Sequence, residues 1–265
     1  MTMPARRLAI LSARRSGADA VLRLLGPAMG GPTVGAQPFH WDNAWGEVSR
    51  EFHQGSPERA RGLLDEALGA GALFRHCYDA ESWDFNQMLL DALANAGYGL
   101  LVVERAPSVE HLFSIIVAGA NDCSDAAAVA RLRERLQAGE EIAIPPAQQW
   151  RQRVAQQWQT HRWFERAAGA CAARLLVCRY ERLFLRGVAG LAAVDEMFAF
   201  AGLGPREAAI DDASLLRFLW AGQHYTAGLA AWSPALLALR RGIEGELARL
   251  QAQQPAPVEA ADAGA

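Results

Sequence analysis

The sequence predicts an α/β fold, a central parallel sheet flanked by helices with a helix-rich C-terminal half, and three stretches carry that expectation. Leu8-Ala9-Ile10-Leu11 is a short apolar run that enters the turn Ser12-Ala13-Arg14-Arg15-Ser16-Gly17 and then the helical pattern Val21, Leu22, Leu24, Leu25. Tyr98-Gly99-Leu100-Leu101-Val102-Val103-Glu104 is a second β-rich run, followed by a helix bearing Val109, Leu112, Phe113, Ile116 and Val117. Residues 174–183 form a third strand and turn before an amphipathic stretch through Val194, Met197, Phe198 and Phe200. Apolar runs without alternation suit strands covered on both faces, and strands alternating with helices over short links pair in parallel.

The remaining elements fill the intervals. Residues 32–36 read as a short second strand, and residues 57–68 as a helix with Ser56 at its N-cap and Pro57 at its first position. Residues 72–76 read as another strand and 85–94 as an amphipathic helix. Helices are expected over 125–136 and 146–170, with Trp150, Trp158, Trp163 and Phe164 contributing to the packing face. Two more are expected at 215–220 and 229–250. Residues 1–250 are expected to form a single domain, and 251–265, rich in Ala, Gln, Pro and Asp, a disordered tail.

Composition narrows the function classes. The chain has 265 residues and a net charge of −3, so it has no global field to attract nucleic acid or anionic membrane. Any anion site must be built locally. No apolar run approaches the ~20 residues of a membrane span, and the start lacks a signal-peptide core, which points to a cytoplasmic protein. Cys77, Cys123, Cys171 and Cys178 lack metal-ligand spacing and read as buried thiols; no metal is expected.

A strand that ends in a small, basic, glycine-containing turn and feeds a helix aims backbone N–H groups and the positive helix end at one point, an arrangement that holds phosphate or sulfate. The turn at residues 12–17 lacks the spacing of both the NTPase phosphate loop and the dinucleotide fingerprint. Arg105 falls at the carboxyl end of the second apolar strand, where open α/β sheets bind ligands. Ser114 follows nine residues later on the helix that Pro107 helps to start.

Together these segments resemble the sulfotransferases that use 3'-phosphoadenosine 5'-phosphosulfate (PAPS), in particular bacterial and carbohydrate sulfotransferases. Arg15-Ser16-Gly17 falls on the core of their 5'-phosphosulfate loop, and residues 100–118 are similar to their 3'-phosphate motif. Arg179-Tyr180-Glu181-Arg182-Leu183, leading to Gly202-Leu203-Gly204-Pro205, is similar to their RYEDL and FLGLP segments. The resemblance covers about residues 6 to 205.

It implies a P-loop-like three-layer fold and PAPS as co-substrate. It places the 5' group against Arg14, Arg15, Ser16, Gly17, Ala18 and Asp19, with Arg14 screening the phosphates or facing solvent, and the 3'-phosphate against Arg105 and Ser114. Arg15 then stabilises the bridging oxygen of the leaving phosphate. The acceptor is a hydroxyl or amine of a small molecule, sugar or lipid precursor; a homo-oligomer is left open. Two departures stand out. Ala18 and Asp19 replace common hydroxyl residues, Asp19 being expected to face solvent, and Gln37 stands where the resemblance implies a catalytic Glu. His76 and His40 are the candidate replacement bases, with Asp42 nearby. The departures keep open a catalytically impaired sulfotransferase-like protein that binds nucleotide or regulates, and beyond it a mainly helical interaction protein.

Overall fold

The computed structural model describes residues 7–30, 33–70, 73–123, 126–171, 174–184, 188–221 and 228–253. In chain order the elements are β1 (Leu8–Ser12), α1 (Ala18–Met29), β2 (Thr33–Ala36), α2 (Gly46–His53), α3 (Pro57–Ala70), β3 (Leu73–Cys77), α4 (Trp83–Asn95), β4 (Gly99–Glu104) and α5 (Val109–Ala120). They continue with α6 (Ala126–Gln137), α7 (Ala147–Ala170), β5 (Leu175–Arg179), α8 (Tyr180–Leu183), α9 (Val188–Phe200), α10 (Asp212–Ala221) and α11 (Pro234–Ala252). Short 3-10 turns occupy Tyr78–Ala80, Arg206–Ala208 and Leu229–Trp232. The chain divides into two compact units, Met1–Ala106 with Thr160–Tyr225, and Pro107–Gln159 with Thr226–Ala265.

The first unit holds an all-parallel five-stranded sheet in the order β2-β3-β1-β4-β5. β1 is central and all five of its residues are buried, because helices cover both faces. Alternate residues divide between two cores, as the two-residue side-chain period of a strand requires. Leu8 and Ile10 of β1 and Leu101 and Val103 of β4 pack with α1, α9 and α10 through Val21, Leu25, Val194, Met197, Leu215 and Leu219. Ala9 and Leu11, with Leu100 and Val102, face the opposite core, where α3, α4 and the end of α7 supply Leu64, Leu68, Phe85, Leu89 and Phe164. The edge strand β5 is less covered, and Val177 remains 47% exposed.

In register, Ser12 lies beside Cys77 on one side and Val103 on the other, and Glu104 lies beside Arg179. The carboxyl ends of β1, β3, β4 and β5 therefore meet at one edge. The chain adds β2 and β3 on one side of β1 and then crosses to β4 on the other. That reversal places the loop after β1 where ligands of open α/β sheets bind.

In the second unit, α5 packs on α11, and the two share an ion pair between Glu110 and Arg240 at 2.5 Å. Trp150 of α7 lies against Gly242, where an added Cβ would stand 2.9 Å from the indole.

Several expectations shift. The helix over 229–250 starts instead at Pro234, because Ser233 accepts from the Leu236 N–H and the proline takes the first helical position. Pro107 precedes the α5 cap, which is Ser108 accepting from the His111 N–H. α2 was not anticipated. α11 runs to Ala252, so the first residues of the expected 251–265 tail are helical, and residues 254–265 lie outside the described residues. Pro32, Ala72 and Asp125, placed in elements by the sequence, also lie outside them. None of the four cysteines forms a disulfide, and Cys77, Cys123 and Cys178 are buried. No helix among the described residues is long and apolar enough to cross a membrane.

Candidate functional site

The loop at residues 13–17 links the buried central strand to α1. Two of its residues have left-handed backbones, Arg15 with φ 64° and Gly17 with φ 76°. Gly17 sits at the α1 N-cap and supplies no side-chain cap to the first turn, while its carbonyl accepts from the Ala20 N–H at 3.0 Å. Glycine is required there twice over. Its φ disfavours other residues, and a Cβ would stand 2.3 Å from Cε2 and Cζ of Phe184.

The other loop side chains hold its shape. Ser16 is buried and its hydroxyl donates to the Ala13 carbonyl at 2.6 Å. Arg14 is bound to Asp79 in the turn after β3: its backbone N–H donates to Oδ1 at 2.9 Å, and its Nε to Oδ2 at 3.0 Å. Asp79 is only 8% exposed, so this carboxylate staples the β1 loop to the β3 end. Ala18 is buried at the first position of α1. Asp19 faces solvent, its side chain 61% exposed, and it also pairs with the buried Arg75 of β3, its Oδ1 3.0 Å from Nε.

Arg105 follows the last residue of β4 and turns back over the loop. Its Nη1 donates to the Arg15 carbonyl at 2.6 Å, and its guanidinium carbon lies 4.1 Å from the centre of the Tyr180 ring. Tyr180 and Phe184 are one turn apart, with ring centres 4.6 Å apart. The segment after β5 thus packs beneath both halves of the loop region, Tyr180 under Arg105 and Phe184 against Gly17. Ser114, by contrast, belongs to the second unit, on α5, and is 7% exposed.

The candidate bases differ sharply. His76 is 1% exposed, lies edge-on to Phe39, and bonds through Nε2 to Asn86 Oδ1 at 2.8 Å. Asn86 spends its amide on the carbonyls of Tyr78 and Ser82, so the imidazole Nε2 is the donor of that bond. Burial lowers the His76 pKa from 6.5 to about 4. His40 is exposed in the loop before α2, with Nδ1 4.0 Å from Asp42. Gln37 has φ 56° and its carbonyl accepts from the Asn43 side chain at 2.7 Å. Position 37 thus shapes the turn through its backbone.

Sequence reasoning missed Asp79, the Asp19–Arg75 pair, and a cluster beside Arg105 formed by Glu104, His161 and Glu165, whose donor atoms lie within 4.8 Å of one another. The Glu104 pKa is raised, first by burial and then by the adjoining Glu165 carboxyl. The four-residue spacing of His161 and Glu165 put both on one face of an expected helix and was the available signal; Glu104 joins them only through the sheet. Compared with protein-family models and with curated proteins, the chain matches none.

Proposed function

We propose that the protein binds a nucleotide bearing phosphate and sulfate at the loop of residues 13–17 and acts as a PAPS-dependent sulfotransferase. The observation that carries this reading is the α1 N-terminus, without a side-chain cap, at the carboxyl end of the central strand, flanked by Arg15 and Arg105. The first-turn backbone N–H groups, the helix dipole and two guanidinium-bearing residues converge there, a donor set that fits an anion. The strand order supports a P-loop-like three-layer arrangement for the same reason: the loop follows the strand about which the order reverses.

In this reading a hydroxyl oxygen or amine nitrogen of the acceptor attacks the sulfur, the bond from sulfur to the bridging phosphate oxygen breaks, adenosine 3',5'-bisphosphate leaves, and the acceptor's proton passes to solvent. Arg15 stabilises the charge that develops on the bridging oxygen, which is where positioned charge is most effective in a loose transition state. Arg14 and Ser16 set the loop's shape, Arg14 through Asp79 and Ser16 through Ala13. A cytoplasmic setting and a small-molecule, sugar or lipid-precursor acceptor belong to the same proposal.

A second reading, nucleotide binding without transfer, is favoured by the burial of His76 and the lack of a carboxylate at position 37. Calorimetry with adenosine 3',5'-bisphosphate tests the shared part, binding being expected and its absence removing both readings. Sulfate transfer from PAPS to a phenolic acceptor then separates them.

A further inference from the structure

Glu104 ends β4, while His161 and Glu165 lie one turn apart on α7, and the donor atoms of all three fall within 4.8 Å of one another. His161 is 7% exposed and its Nε2 lies 3.5 Å from Glu165 Oε1. The carboxyls of Glu104 and Glu165 meet each other directly. Two carboxyls brought together beside a buried imidazole must share either a proton or a cation, and the imidazole nitrogen adds a donor that suits a metal ion. The arginines at hand are peripheral: Arg179 Nε lies 3.6 Å from Glu104 and Arg162 Nε 3.9 Å from Glu165, and their side chains are 75% and 46% exposed.

We propose that Glu104, His161 and Glu165 bind a divalent transition-metal ion that ties α7 to the carboxyl end of β4. One imidazole and two carboxylates form a mixed nitrogen and oxygen donor set, suited to Zn²⁺ or Mn²⁺ and poorly suited to Mg²⁺, which keeps water and oxygen ligands. Three protein ligands leave at least one position for water. The site does not depend on the nucleotide reading.

The test uses the full chain, stripped with EDTA and titrated with ZnCl₂ by calorimetry and thermal melting, with MgCl₂ in parallel. One equivalent of Zn²⁺ should bind with Kd below about 10 µM and raise the melting temperature, whereas Mg²⁺ at the same concentration should not. His161→Gln and Glu165→Gln should each weaken Zn²⁺ binding tenfold or more. In EDTA, Glu165→Gln should melt at or above the wild-type temperature, since it removes one of two adjoining carboxylates. Zn²⁺ stabilisation that is absent in the wild type, or equal in the wild type and both variants, overturns the proposal. Should either variant fail to fold in EDTA, Glu104→Gln reads the same quantity, and undiminished binding by it counts as refutation.

Discussion

Arg105 donates from Nη1 to the carbonyl oxygen of Arg15 at 2.6 Å, and this one bond joins the end of β4 to the loop after β1 across ninety positions of sequence. The same guanidinium lies 4.1 Å from the centre of the Tyr180 ring, so one side chain is fixed from two directions beside the α1 N-terminus. Arg105→Ala should raise the dissociation constant of adenosine 3',5'-bisphosphate tenfold or more, a charge-assisted contact being worth ~1.5–3 kcal/mol. Tyr180→Leu should raise it about fivefold, by removing a cation–π contact of about 1 kcal/mol. Calorimetry that finds wild-type affinity in both variants removes Arg105 from the site.

Phe184 packs against Gly17. Gly17→Ala should destabilise the protein by roughly 2–4 kcal/mol, combining a left-handed backbone with a methyl forced against a ring. Phe184→Leu in the same chain should restore at least about 1 kcal/mol of that loss, because the steric part is shared and the backbone part is not. A double-mutant cycle by urea denaturation checks this. Additive effects would mean that Phe184 does not constrain the loop.

The strands and most helices were legible because their signals are local. β1 and β4 are continuous apolar runs since both faces are covered, and Pro57 marks a helix start by its fixed φ and missing N–H. The loop's basic residues and Gly17 were legible for the same reason. What holds the loop was not. Asp79 lies sixty-five positions from Arg14 and becomes its partner only when β3 pairs with β1. Asp19 carries no mark of its tie to Arg75, and Glu104 none of its approach to α7. His76 read as a candidate base because strand-end histidines can titrate, but its burial depends on Phe39 and Phe85, which come from elsewhere in the chain.

That burial has a pH signature. The His76 pKa is lowered from 6.5 to about 4 by desolvation, so between those values the unfolded chain binds a proton that the native state does not. The stability contributed by a neutral His76 is therefore full above pH 6.5 and lost as pH falls toward 4. The loss should reach roughly 3 kcal/mol, at 1.36 kcal/mol per unit. Urea midpoints measured across that range should decline less steeply in His76→Gln, by nearly one proton. Parallel slopes would show that His76 titrates normally. For catalysis, an imidazole already neutral at pH 5 produces no rise in transfer rate near pH 6.5, so a pH–rate step at 6.5 abolished in His76→Gln would contradict the burial seen here.

Arg15 separates binding from folding. Its backbone is left-handed, with φ 64°, a conformation that costs a non-glycine residue on the order of 1 kcal/mol. Its carbonyl, not its side chain, accepts the Arg105 bond. Arg15→Gly keeps that carbonyl and relieves the backbone, while the greater freedom of glycine in the unfolded chain offsets part of the gain. Stability should thus stay within about 1 kcal/mol of wild type. The guanidinium, however, is gone. Bisphosphate affinity should fall tenfold or more, and transfer from PAPS about 10²-fold or more at saturating donor, the range for one group that stabilises developing charge. A variant that is several kcal/mol less stable yet binds bisphosphate with unchanged affinity would make Arg15 a structural residue. A variant as stable as wild type that has lost the nucleotide would show that the strain at position 15 is kept for the charge it places beside the α1 N-terminus.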